Sequence, residues 1–280
     1  MKVVNSIEEI TEIVKNYKKQ NKIISLVPTM GALHLGHIEL VKQAKLHSDI
    51  VIVSIFVNKS QFNDPNDFVN YPKTFNADCE ILSNHQVDYL FMPDDGDIYK
   101  NKIEIDISMS SLTDCLCGKY RENHFSGVLL IVSKLFNIIQ PDIAVFGEKD
   151  FQQLTVIKKL VEDLNFPIKI IACPTVRINQ GLALSSRNSR LNQQQLMLAN
   201  NIYLILNEIK NNIIADQNII EKKIKEMLAI GIDKVEYLEI RNEKNLQLVE
   251  PMIGQNYQNC RIFTAVFIGK VRLIDNLAIC

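Results

Sequence analysis

The chain has 280 residues, a formal net charge of -1 and a hydrophobic content of 47%. That balance gives no electrostatic support for a nucleic-acid partner and suits a larger domain joined to a smaller one. No apolar run reaches the ~20 residues of a bilayer span, and Glu8, Glu9 and Glu12 occupy the place of a secretory apolar region, so neither a membrane partner nor a leader is expected.

In chain order, Ser6 opens an S-x-x-E pattern with Glu9, which predicts a capped helix over 6–19. Residues 23–27 read as a buried strand, 36–46 as a helix and 49–57 as a second apolar strand. A polar segment follows over 58–72, then a helix over 73–84 and a strand over 87–93. Residues 125–140 predict a buried helix, 142–147 a strand ending in glycine, 150–164 an amphipathic helix and 167–174 a strand. Buried strands alternating with helices predict an α/β domain: a parallel sheet with helices on both faces, covering 1–176. The pattern then changes. Helices over 192–213 and 216–229 and strands over 234–241, 261–269 and 270–275 predict a smaller α+β domain over 177–280, expected to cover the active site. Six scattered cysteines with no C-x-x-C pair read as thiols of a reducing cytoplasm.

Parallel sheets bind ligands at the carboxyl ends of their strands. "VPTMGALHLGH" stands at such an end, and it holds His34 and His37 of only five histidines. A metal pair lacks a third ligand at a useful spacing. Buried histidines bonded to backbone carbonyls are a second reading. Phosphate binding is the third: a helix N-terminus offers unpaired N–H groups and a partial positive charge, to which imidazole N–H donors add. Donors fixed there would hold the charge that grows at a nucleotide's α-phosphate. "LALSSRNSRL" supplies hydroxyls and a cation at Ser185, Ser186 and Arg187, and "FGEKD" places Lys149 after a strand-ending glycine. No Walker motif occurs; in "CGKY" the first glycine's place is taken by Thr113.

"HLGH" resembles the H-x-G-H signature of the nucleotidylyltransferase superfamily. With "FVNKSQF", "DFVNYPKT", "LCGKYRENHFSGV", "KLFNIIQPDIAVFGEKDFQQL", "TVR" and "GLALSSRN" in order, the chain resembles the pantothenate synthetase (pantoate–β-alanine ligase) family. The resemblance implies a Rossmann-like fold and a two-step ligation: pantoate attacks the α-phosphate of ATP, and β-alanine then displaces AMP from pantoyl adenylate. It implies ATP contacts at Met30, Gly31, Ala32, Leu33, His34, Leu35, Gly36 and His37, with His37 in the proton-donor role. It further implies ATP contacts at Gly147, Glu148, Lys149, Asp150, Val176, Leu184, Ser185, Ser186 and Arg187. Gln61 and Gln153 would hold pantoate, and Gln61 would also lie near β-alanine. Catalytic roles fall to His34, His37, Lys149, Ser185, Ser186 and Arg187. Magnesium would ride on the phosphates, with Asp150 a further ligand, and the enzyme would be a cytoplasmic homodimer. Asn58, Tyr71 and Arg121 are secondary candidates.

The family commonly has Pro-Thr where this chain has Lys59-Ser60, Pro-Gly where it has Glu122-Asn123, and Arg or Asp where it has Ser126. These departures bear on the β-alanine side and on Arg121. An acyl adenylate must be kept from water, so the segment 58–72 is expected to act as a lid. Two other functions share the H-x-G-H signal: nucleotide transfer to a phosphate acceptor, which would want more cations, and nucleotide binding without chemistry.

Overall fold

The computed structural model describes residues 1–63, 65–101, 103–178 and 181–279. The chain divides into two compact units. The first comprises residues 1–110, 121–148 and 156–174, and the second 111–120, 149–155 and 175–280.

The first unit is built on six strands: β1 (Lys2–Val4), β2 (Ile24–Thr29), β3 (Ile50–Ile55), β4 (Tyr89–Phe91), β5 (Ile143–Gly147) and β6 (Lys169–Cys173). All pairs are parallel, in the order β1-β4-β3-β2-β5-β6. The intervening helices are α1 (Ile7–Lys19), α2 (Leu35–His47), α3 (Pro65–Val69), α4 (Phe75–Asn84), α5 (Asp95–Ile98), α6 (Leu116–Tyr120), α7 (His124–Ile139) and α8 (Phe151–Asp163). Of these, α6 and the first turn of α8 belong to the second unit.

Alternation along the strands sends neighbouring residues to opposite faces. On one face Val27, Val51, Val53 and Val145 pack with Leu40, Val41 and Ala44 of α2 and Leu82 of α4. The alternate residues Ile24, Leu26 and Ile52 are buried as well, on the side of α7, which lies against β2 and α1. A sheet covered on both faces needs continuous apolar strands, which is why these strands stood out in the sequence. Ser6 caps α1 by accepting from the Glu9 N–H at 3.1 Å, as its motif predicts.

The second unit contains the short hairpin of β7 (Arg177–Ile178) and β8 (Leu182–Ala183) and an antiparallel sheet of β9 (Lys234–Asn242), β10 (Cys260–Ile268) and β11 (Val271–Ala278), in the order β11-β10-β9. Helices α9 (Gln193–Asn212) and α10 (Ile219–Ala229) cover one face. Ile202, Ile205, Leu206 and Met227 pack there against Leu238, Ile262, Val266 and Leu273. Asn192 closes a capping box with Gln195 at the start of α9.

Sequence and structure differ in places. β1 is three residues with no alternation, and it is a strand because β4 offers it an edge. The last strand runs to Ala278 rather than ending at Asp275, because the polar Asp275 and Asn276 find partners within the unit. The polar segment 58–72 contains a 3₁₀ turn at Lys59–Gln61 and the short helix α3.

Candidate active site

Strand order reverses at β2 and β5: β3 and β4 lie to one side and β6 to the other. The β2–β5 ladder is confined to Ser25 with Ile143 and Leu26 with Ala144, whereas β2–β3 pairing continues to Thr29 and β5–β6 pairing to Gly147. The carboxyl ends of β2 and β5 therefore part at the topological switch point, where doubly wound sheets bind ligands. The H-x-G-H segment leaves β2 there, and Gly147-Glu148 leaves β5.

The turn after β2 is left-handed at Gly31 (φ +79°) and Ala32 (φ +50°). Asp78 of α4 holds it. Its buried carboxylate accepts from the Ala32 N–H at 3.0 Å and the Leu33 N–H at 2.8 Å, with the Thr74 hydroxyl donating at 3.1 Å. Sequence reasoning missed Asp78; its only local signal was a carboxylate among the apolar positions of an amphipathic helix.

His34 is the N-cap of α2. Its Nδ1 accepts from the Gly36 N–H at 3.1 Å, and Nδ1 of His37 accepts from the His34 N–H at 3.2 Å. The two rings form a reciprocal capping box, with centroids 4.1 Å apart. Both rings thus accept from backbone amides. With Nδ1 accepting, a neutral ring carries its proton on Nε2, so the cap selects the tautomer. The same bonds hold both rings at the helix N-terminus, at the positive end of its dipole.

Gln61 is buried in the 3₁₀ turn. Its Oε1 accepts from Asn58 Nδ2 at 3.2 Å, and its Nε2 contacts Met30 Sδ at 2.8 Å. Its carbonyl accepts from His124 Nδ1 at 2.8 Å and from Arg121 at 3.4 Å. Asn58, 1% exposed, also donates to the Gly127 carbonyl at 3.0 Å and accepts from Tyr99 Oη at 2.7 Å, so it anchors the turn. Gly127 is required by close approach: a Cβ there would stand 2.4 Å from the Ser60 carbonyl oxygen. That contact accounts for the glycine in "HFSGV". Tyr71 is buried and packs edge-on against Phe62 at 5.7 Å.

Arg121 donates to His124 Nε2 at 3.0 Å. Since the Gln61 carbonyl only accepts and the guanidinium only donates, His124 is the neutral Nδ1–H tautomer. Asn123 has φ +58° at the start of α7. Asparagine is among the few residues that visit this region routinely, so Asn123 holds it without much strain.

In the second unit, Lys149 is largely buried, with Nζ 3.8 Å from Asp150 Oδ1. Gln153, on α8, is half-buried. Its neighbour Gln152 plays a different part, accepting from the Cys117 N–H at 2.9 Å and donating to the Leu112 and Cys115 carbonyls, both at 2.8 Å. Ser185 caps a 3₁₀ turn over Ser186–Arg190, its Oγ accepting from the Arg187 N–H at 3.2 Å. The Leu184 N–H donates to the Val176 carbonyl at 3.0 Å, and buried Asn188 donates to the Ala183 carbonyl at 3.1 Å. These bonds form a compact hydroxyl- and cation-bearing loop. Among the described residues no three His, Cys, Asp or Glu side chains are grouped so as to hold a metal.

Comparison with known proteins identifies the family. The family model for pantoate-beta-alanine ligase matches residues 2–278. A curated pantothenate synthetase of Buchnera aphidicola subsp. Schizaphis graminum is 45% identical, over 99% of this chain and 98% of that protein. The crystal structure of pantothenate synthetase from Thermus thermophilus has a TM-score of 0.91 at 32% identity, covering 100% of this chain and 99% of the other. That of the Francisella tularensis pantoate-beta-alanine ligase, complexed with beta-gamma ATP and beta-alanine, has a TM-score of 0.86 at 41% identity, covering 100% and 98%. A parted β2–β5 switch point, an interlocked histidine cap and a match along nearly the whole length lead to one conclusion: the chain belongs to the pantoate–β-alanine ligase family.

Proposed function

We propose that this chain performs the family's ATP-dependent condensation of pantoate with β-alanine in two half-reactions, with the residues assigned as follows. In the first, a pantoate carboxylate oxygen attacks the α-phosphorus of ATP. The bond to the bridging oxygen breaks, and pyrophosphate leaves with that electron pair. In the second, the β-alanine amine attacks the acyl carbon; AMP leaves, the amine loses a proton and the amide of pantothenate remains.

The observation that carries the assignment is the His34–His37 cap. It supports both Nε2–H groups as donors to the α-phosphate, at the positive end of the α2 dipole. A donor fixed before the reaction does not have to reorganise as charge grows, and each is worth about 100- to 1000-fold in rate. Met30 through His37 are assigned to ATP with them, as are Gly147, Glu148, Asp150, Val176 and Leu184. Lys149 with Ser185, Ser186 and Arg187 are assigned to the outer phosphates: a compact cation on one segment, hydroxyls and a guanidinium on the other.

Gln61 is assigned to pantoate and β-alanine, and its bonds to Asn58 and Met30 support a fixed amide orientation. Gln153 is assigned to pantoate. The donor set suits magnesium carried on the nucleotide, with the Asp150 carboxylate as a further ligand. When bound, the ion neutralises phosphate charge. The segment around α3 is assigned to shielding the adenylate. Cytoplasmic residence and a homodimer are the family's expectation, and sedimentation at micromolar concentration tests the dimer.

The testing experiment supplies ATP, magnesium, pantoate and β-alanine and follows pyrophosphate and AMP. Both are expected only when pantoate is present. His37→Ala should slow single-turnover adenylate formation by about 100- to 1000-fold with little change in ATP affinity. Wild-type single-turnover kinetics in that variant would overturn the assignment.

A further inference from the structure

We propose that Asp275 and Asn276, adjacent on β11, are positioning residues for adenylation, each fixing one of the two phosphate-binding segments of the second unit. The proposal deepens the assignment of Lys149 and of Leu184–Arg187 given above and rests on it.

Successive strand residues point to opposite faces, so one dipeptide can serve two segments. Asn276 is 3% exposed and faces the turn that precedes α8. Its Nδ2 donates to the Lys149 carbonyl at 2.8 Å, while its Oδ1 accepts from Arg261 Nη1 at 2.5 Å. Arg261 is held in turn by Glu243 at 2.9 Å and lies over the Phe151 ring at 3.9 Å. The amide is therefore locked: oxygen toward a guanidinium, nitrogen toward the backbone of the residue whose ammonium is assigned to phosphate. An asparagine does both because it alone at that size offers donor and acceptor.

Asp275 points the other way and makes a two-pronged ion pair with Arg177, at 2.7 and 2.9 Å. The same guanidinium donates to the Gly181 carbonyl at 2.9 Å and the Asn276 carbonyl at 3.0 Å, and it stacks on Tyr203 at 4.2 Å. Gly181 (φ +107°) lies so close to that ring that a Cβ would stand 1.9 Å from it. Arg177 thus ties the β7–β8 hairpin to β11, and β8 leads directly into Leu184–Arg187. An aspartate and an asparagine in a buried strand oppose its β propensity. They are accounted for by what they hold.

Pyrophosphate departs only in the first half-reaction, so a device that places its cations should matter there and not in the second. The test compares single-turnover pyrophosphate release from ATP and pantoate with conversion of presynthesised pantoyl adenylate and β-alanine to pantothenate. Asn276→Asp keeps an acceptor for Arg261 but has no donor for the Lys149 carbonyl. Asp275→Asn removes the charge that holds Arg177 and carries the test should the first variant not fold. Each is expected to slow the first half-reaction by about 10- to 100-fold, the scale of a misplacement on the order of 1 Å, and to leave the second at its wild-type rate. A parallel fall in both half-reactions overturns the proposal, since it marks a general structural role. Lys149→Ala is run alongside. If it is slow while both strand variants adenylate normally, the positioning role alone is overturned. If Lys149→Ala itself adenylates normally, the assignment of Lys149 fails and the proposal with it.

Discussion

Asp78→Asn is the substitution whose consequences the structure defines most fully. The carboxylate is 3% exposed and accepts from two backbone amides, at 3.0 and 2.8 Å, and from the Thr74 hydroxyl. Hydrogen bonds to a charged group contribute about 1.5–3 kcal/mol each. Asparagine keeps one acceptor oxygen, now neutral, and turns an NH2 toward the other amide. One charged bond is lost and the second is weakened, a cost of about 3 kcal/mol against a total stability of about 5–15 kcal/mol. The turn that loosens is the one leading into His34. It includes Ala32 at φ +50°, which holds that strained conformation while its N–H is engaged. We expect a folded enzyme with a urea midpoint lowered by about 1 M, for a slope of about 3 kcal/mol/M. Adenylate formation should be slowed by up to about 100-fold. Urea unfolding followed by circular dichroism and rapid-quench pyrophosphate release measure the two. A midpoint and a rate both equal to wild type would refute the reasoning, because an amide would then serve the turn as well as a carboxylate.

Ala32→Gly should act in the opposite direction: relief of about 1–2 kcal/mol of left-handed strain outweighs an unfolded-state entropy cost of about 0.4–1 kcal/mol, so the urea midpoint should rise slightly. A lower midpoint would mean Ala32 is not strained. Gln153→Ala should raise the KM for pantoate and leave that for ATP unchanged in steady-state kinetics; the reverse would remove Gln153 from the pantoate site. Cys173 is fully buried, and burial first, then the charges of Glu39 and Glu148, push its thiol up to about 11. At pH 8 its thiolate is about one part in a thousand, so iodoacetamide should leave it intact in the folded protein and label it in urea, read by mass spectrometry. The sign of the linkage follows. The unfolded thiol ionises near 9.0 and the folded one later, so this contribution to stability is complete below about pH 9 and declines as pH rises toward 11. Stability that rose over that window would contradict it.

The sequence by itself determined the alternation of strands and helices in the first unit, because strands buried on both faces must be apolar throughout and helices packed on one side must be periodic. It determined the H-x-G-H, GEKD and SSRN segments as candidates, because phosphate chemistry needs small residues, donors and cations within a few positions of one another. Tertiary structure alone decided what holds these segments in place. Asp78 lies 45 and 46 residues from the amides it binds. Asp275 and Asn276 lie 98 and 127 residues from Arg177 and Lys149. Gly127 meets the Ser60 turn from another helix. It also decided the short strands β1, β7 and β8, which exist only because a partner supplies the other half of each ladder. Local pattern records the preference of a chain for its own conformation. A hydrogen bond between distant residues leaves no period in the sequence and becomes visible only when the fold brings donor and acceptor together.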